Sequence, residues 1–151
     1  MPQSLSKVYL HIVFSTKYRE QSIDDHIAPE LFAYLGGVCR EMKCTALEVG
    51  GYRDHVHILA VLHRTVCQSD LLEEIKKRSS LWIKTKGEQY QHFYWQDGYA
   101  AFSISPSKVG AVRRYIQTQE EHHQAQENYK TELLRHLDEY EMDYDERFMW
   151  E

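Results

Sequence analysis

The apolar positions of the chain fall into short stretches with clear periods. Lys7–Ser15 (KVYLHIVFS) alternates, with Val8, Leu10, Ile12 and Phe14 on one side and Tyr9, His11 and Val13 on the other. A period of two places these sets on opposite faces of a strand. From Asp24 to Met42 the period becomes helical, with Ile27, Leu31, Leu35, Val38 and Met42 on one stripe and Pro29 near the start. Two strands follow, Cys44–Val49 and His55–Leu62, joined through Gly50–Gly51. Asp70, with Glu73 three residues later, reads as the start of a helix running to about Lys86 through Leu72, Ile75 and Ile83. Tyr99–Ser105 (YAAFSIS) reads as a fourth strand. Pro106 and Ser107 then open a long helix through Val109, Val112 and Ile116, with Ser107 as its N-cap.

The order β-α-β-β-α-β with extra helix predicts an α+β fold. It is the ferredoxin-like (RRM-like) split βαβ sandwich, a four-stranded antiparallel sheet with two helices on one face. The expectation is one domain, with residues 1–105 as the core and 106–151 as a C-terminal helix and tail. The first and third strands are central neighbours in this topology, so His11 shares the bare face with His55 and His57. Many functions use this fold, so function has to be read from the residues.

Composition narrows the classes. No segment approaches the roughly 18 apolar residues of a membrane span, and the N-terminus lacks the apolar core of a signal peptide. Cys39, Cys44 and Cys67 are odd in number and have no CxxC spacing. They read as reduced thiols of a cytoplasmic protein. The net charge of −5 argues against nucleic acid until its distribution is considered. Residues 1–114 carry 15 Lys+Arg against 12 Asp+Glu, and residues 115–151 carry 3 against 11. The acidity therefore belongs to the C-terminal stretch. The body holds basic clusters at Lys17/Arg19, Lys76–Lys77–Arg78, Lys84/Lys86 and Arg113–Arg114, and phosphate binding responds to local potential.

The chemistry gathers at GYRDHVHILA, residues 51–60. His55 and His57 are two apart on a strand and project from the same face, with Val56 and Ile58 pointing behind. Spacing alone leaves open two surface histidines or a metal-binding pair. Farther on, VRRYIQTQEEHH places Tyr115 and Gln119 four apart on one helical face, with His122 continuing the stripe. Two imidazoles and an amide oxygen would leave open positions on a hard cation, which suits Mg²⁺ or Mn²⁺ acting on a phosphodiester. A tyrosine beside that cation would be a nucleophile.

At these residues the chain resembles the single-tyrosine HUH transposases of small bacterial insertion sequences, the IS-two-hundred-like group. HIVFSTKYR, GYRDHVHIL, WQDGYAAFSIS and YIQTQEEHH occur in family order from Leu10 to about His123, and the tail carries MDYDERFMW. Relaxases carry their tyrosine before the histidines, whereas Tyr115 comes after them. The resemblance implies a DNA transposase acting on single-stranded DNA, with a hairpin recognised at each element end. It implies Tyr115 as the nucleophile that keeps a 5′ phosphate, and His55, His57 and Gln119 as ligands of Mg²⁺ or Mn²⁺. Asp54 and His122 would support these groups. His11, Lys17, Arg19, Lys76, Lys77, Arg78, Arg113 and Arg114 are the candidate DNA contacts. A homodimer, in a bacterial or archaeal cytoplasm and associated with the nucleoid, is also implied. Two rivals remain open: a non-catalytic RRM-like single-strand binder stacking bases on Tyr9, Tyr52 and Phe93, and a domesticated HUH nuclease.

Overall fold

The computed structural model describes residues 2–124 and 128–150. Residues 125–127 and 151, part of the C-terminal stretch read above as helix and tail, lie outside the described residues, as does Met1.

Four strands form one sheet: β1 (Val8–Ser15), β2 (Thr45–Tyr52), β3 (His55–Leu62) and β4 (Ala100–Ile104), in the order β2-β3-β1-β4 and antiparallel at every pairing. Helices α1 (Ala28–Glu41) and α2 (Gln68–Lys84) complete the split βαβ sandwich. The strand periodicity explains why they pack where they do. Leu10, Ile12, Phe14, Val56, Ile58 and Ala60 turn to the helical layer and meet Leu31, Leu35, Val38, Leu71, Leu72 and Ile75 in the main core. Phe93 and Trp95 also lie in that core, so Phe93 is no stacking platform.

Element ends depart from the sequence reading in physical ways. Gly50 and Gly51 belong to β2, and the turn is the two-residue loop Arg53–Asp54, with Tyr52 paired to His55. Gly51 pairs with Val56, and the position requires glycine because a Cβ there would stand 2.3 Å from the His55 carbonyl oxygen. Helix α2 starts at Gln68, after Cys67, and Asp70 lies in its first turn. Ser107 does not cap a helix. Its hydroxyl meets that of Ser105 at 3.1 Å, within a 3₁₀ turn (Pro106–Lys108).

The expected long helix is three pieces: α3 (Val109–Gln117), a break at Thr118, α4 (Gln119–Gln124), and then α5 (Tyr129–Glu139). Asn128 caps α5, its side chain accepting from the Thr131 N–H. The histidine face of the sheet, expected to be bare, is covered. Val13 and Phe102 pack there against Tyr129, Leu133 and Leu137, forming a second, smaller core with Met149 and Trp150 at its margin. Glycine sets the fit of α3 on β2, because a Cβ on Gly50 would stand 2.8 Å from both Cγ2 and the carbonyl oxygen of Ile116.

Candidate active site

Strand β3 carries His55 and His57 on the face away from the main core, and both side chains are fully buried. The adjoining turn supplies Asp54, whose Oδ1 lies 2.8 Å from His55 Nδ1. A carboxylate only accepts, so Nδ1 carries the proton and Nε2 of His55 turns inward. His57 Nδ1 meets His11 Nε2 at 2.8 Å, which likewise directs its Nε2 inward. Helices α3 and α4 add Tyr115 and Gln119, with Gln119 Oε1 3.0 Å from His55 Nε2.

Sequence reasoning missed the group at the centre, Glu132 of α5. Its Oε1 stands 2.9 Å from His57 Nε2 and 3.3 Å from His55 Nε2. Its Oε2 accepts from the Tyr115 hydroxyl in a very short hydrogen bond, and from Gln119 Nε2 at 3.1 Å. His123 Nε2 faces only acceptors, Gln119 Oε1 at 3.1 Å and Glu132 Oε2 at 3.2 Å, so it donates. Arg135, one turn along α5, donates to the Tyr115 oxygen at 2.9 Å. The signal was present as the helical stripe Tyr129, Glu132, Leu133, His136 and Leu137, hidden within an acidic composition.

Electrostatics follow from burial in this ring of partners. Burial resists charge on His55, but hydrogen bonds to Asp54 and Glu132 outweigh it and push its pKa up to about 9. Burial brings His57 down to about 4 against the pull of Glu132. Burial also lowers His11, with His57 and His136 adding to the effect. For Glu132 the cost of burial is overcome by His57, His123 and His55, which hold it ionised well below the carboxylate range. The Tyr115 hydroxyl is pushed up by burial and by the Glu132 charge.

His55, His57 and Glu132 form a buried group whose donor atoms lie within 4.8 Å of one another. Neighbouring ligands of an octahedral ion with bonds of about 2.1 Å stand about 3 Å apart. The His55–Gln119, His55–Glu132 and His57–Glu132 separations of 3.0, 3.3 and 2.9 Å fit that spacing. The residues therefore suit a divalent cation.

The other candidate residues are dispersed. His11 does not offer its ring to DNA: it is buried, bonded to His57, and flanked by Phe102, Tyr115 and His136. Lys76 holds the carbonyls of Gln96, Asp97 and Gly98 at 2.8, 3.3 and 2.5 Å, so it braces a loop. Arg78 pairs with Glu74 and Glu41 on the helical layer, where Lys77 is also placed, behind the sheet as seen from the histidines. Arg19 donates to the Trp150 carbonyl at 2.5 Å and lies over that indole ring, while Lys17 lies over Tyr18. Arg113 is half-exposed, 3.6 Å from Glu48, and Arg114 is exposed. The His122 ring stands edge-on to Tyr115, and Tyr52 stacks on His123. A cleft of about 280 Å³, lined in part by Lys108, Tyr115, Arg135 and Tyr140, opens onto the tyrosine.

The sequence matches the family described as "Transposase IS200 like" over residues 4–119. The chain belongs to the IS200-like transposase family. It is accordingly a single-tyrosine HUH transposase of single-stranded DNA, and His55–Val56–His57 has the histidine–hydrophobic–histidine pattern. Solved structures agree on the fold. A protein described as a transposase, from Deinococcus radiodurans R1, matches with a TM-score of 0.61 and 20% identity, over 79% of this chain and 98% of that one. A REP-associated tyrosine transposase bound to a REP hairpin matches with a TM-score of 0.58 and 15% identity, over 82% and 73%. No curated protein matches the transposase by sequence. Among the described residues no helix is long and apolar enough to cross a membrane.

Proposed function

We propose that this transposase cuts and rejoins a single DNA strand through a covalent bond between Tyr115 and the 5′ phosphate. The observation that carries this reading is the position of the Tyr115 hydroxyl, against the buried His55–His57–Gln119–Glu132 cluster and at the floor of a solvent-open cleft. Tyr129, another phenol beside the cluster, is buried and bonded to Gln96 Oε1 at 3.2 Å, and Tyr52 stacks on His123, whereas the Tyr115 hydroxyl bonds Glu132 directly and its ring lines the cleft.

The Tyr115 oxygen attacks phosphorus, its O–P bond forms, and the P–O3′ bond breaks. The phenol gives up its proton and the departing 3′ oxygen takes one up, so the strand keeps a free 3′ hydroxyl. That hydroxyl can later attack the phosphotyrosine and restore a phosphodiester without an external energy source. Mg²⁺ or Mn²⁺ held by His55, His57 and Gln119 would supply Lewis-acid charge at the scissile phosphate. Asp54 and His11 fix the two imidazoles, and His122 borders the tyrosine. Lys108 and Arg135 at the cleft, with Arg113 and Arg114 on α3 and Lys17 and Arg19 at the end of β1, offer positive charge to the backbone. The substrate is a strand bearing a hairpin at the element end, a reading supported by the neighbour bound to a REP hairpin. The working unit is a homodimer.

Tyr115→Phe tests the reading. It keeps the ring and removes the attacking oxygen, so hairpin binding stays and both cleavage and the SDS-stable adduct fall by orders of magnitude. Cleavage by the Phe variant at the wild-type rate would remove Tyr115 from the chemistry.

A further inference from the structure

Glu132 lies beyond the family segment, which ends at residue 119. It is 1% exposed, and it is charged where a lone buried carboxylate is costly. Its surroundings explain why it stands there. Four possible donor atoms to a cation converge there: His55 Nε2 lies 3.0 Å from Gln119 Oε1 and 3.3 Å from Glu132 Oε1, and the His55, His57 and Glu132 atoms lie within 4.8 Å of one another. In the His11–His57 hydrogen bond either ring can carry the proton, so His57 Nε2 can also offer a lone pair to a cation there. Without a metal these atoms are bridged by protons on the rings, and a divalent cation at their centre replaces the inward-facing protons. Two imidazoles and an amide are neutral, and a buried dication is better matched by an anion in its own shell.

We propose that Glu132 is an anionic ligand of the divalent metal site, binding through Oε1 while Oε2 holds the Tyr115 hydroxyl. The inference deepens the reading above and rests on it for the role of Tyr115. One carboxylate then spans cation and nucleophile and fixes the phenolic oxygen beside the metal. Helix α5 is part of the active site, and its packing through Tyr129, Leu133 and Leu137 keeps the carboxylate in place.

Titration calorimetry of the full chain with Mn²⁺ alone, without DNA, tests the assignment. The wild type takes up the ion, and His57→Ala loses it. Glu132→Gln, which keeps shape and loses charge, weakens uptake at least about tenfold. Asp138→Asn, at an exposed position on the same helix, changes nothing. Should the Gln variant fail to fold, Glu132→Asp, which keeps the charge and shortens the reach, also weakens uptake. Unchanged affinity in Glu132→Gln, or no Mn²⁺ uptake by the wild type, overturns the proposal. With Mn²⁺ saturating, Glu132→Gln also lowers adduct formation on a hairpin-bearing strand. A rise would mark the carboxylate as an occupant that keeps the phosphate out, and would overturn it too. Tyr115→Phe leaves Mn²⁺ uptake unchanged. A wild type that makes no adduct would thus count against the transposase chemistry, while the titration still decides the ligand.

Discussion

Asp54 decides which nitrogen of His55 faces the cluster. Its carboxylate takes the Nδ1 proton from the two-residue turn that joins β2 to β3, so tautomer and ring orientation are set by the hairpin itself. Groups that orient a metal-bound histidine in this way are generally worth 10–100-fold in metal affinity. Asp54→Ala is therefore expected to weaken Mn²⁺ binding by about 10–100-fold, while hairpin binding is unchanged. Calorimetry and a gel-shift assay check the two halves. Unaltered Mn²⁺ affinity would mean that His11, His57 and Glu132 hold the ring environment without it. The pair His55 and His57 was legible in the sequence because i, i+2 spacing on a strand has only one geometric outcome. The partners were less so. His11 was placed on the right face, but its hydrogen bond to His57 depends on register and closeness that periodicity does not convey.

At the scale of elements, the strands and the two helices of the main core were readable because their apolar periods are strong and uninterrupted. Gly50 shows where that reading stops. It looked like a turn residue, and its use is instead to let α3 lie directly on β2, with Ile116 over the strand. Gly50→Ala should push α3 outward at a cost of about 1–3 kcal/mol and lower adduct formation, since Tyr115 adjoins Ile116. Gly37→Ala is the control, because nothing lies within 4 Å of a Cβ there and a helix interior favours alanine. Denaturant melts of both variants check this, and equal stabilities would contradict the role given to Gly50. Helix α5 was hidden for a different reason. Net charge made the C-terminal stretch look like a solvated tail, although Tyr129, Leu133 and Leu137 recur at a spacing that buries one face. The break at Thr118 carries no proline or glycine to announce it.

For the whole molecule, the consequence is a sheet covered on both faces, with the buried His55–His57–Glu132 cluster enclosed between β3 and the C-terminal helices. The acidic stretch is thus partly internal, and Glu132 lies buried beside His55 and His57. One edge of the sheet is β4, a strand of five residues whose Ser103 carbonyl is taken by the Tyr140 hydroxyl at 2.7 Å. That hydroxyl covers part of the edge, so the proposed homodimer has to pair through the rest of β4 or through another surface. Light scattering should give twice the 18.0 kDa chain mass at micromolar concentration. A monomer mass would remove the homodimer from the account. The central claim is the covalent bond to Tyr115, and peptide mapping of the adduct tests it most directly. Trypsin cuts after Arg114 and Lys130, releasing residues 115–130 with Tyr115 at the N-terminus and Tyr129 near the other end. After reaction with a hairpin-bearing strand and nuclease trimming, fragmentation should place a 5′-linked nucleotide on Tyr115. A nucleotide on Tyr129, or an unmodified peptide from a cleaved sample, would contradict the account.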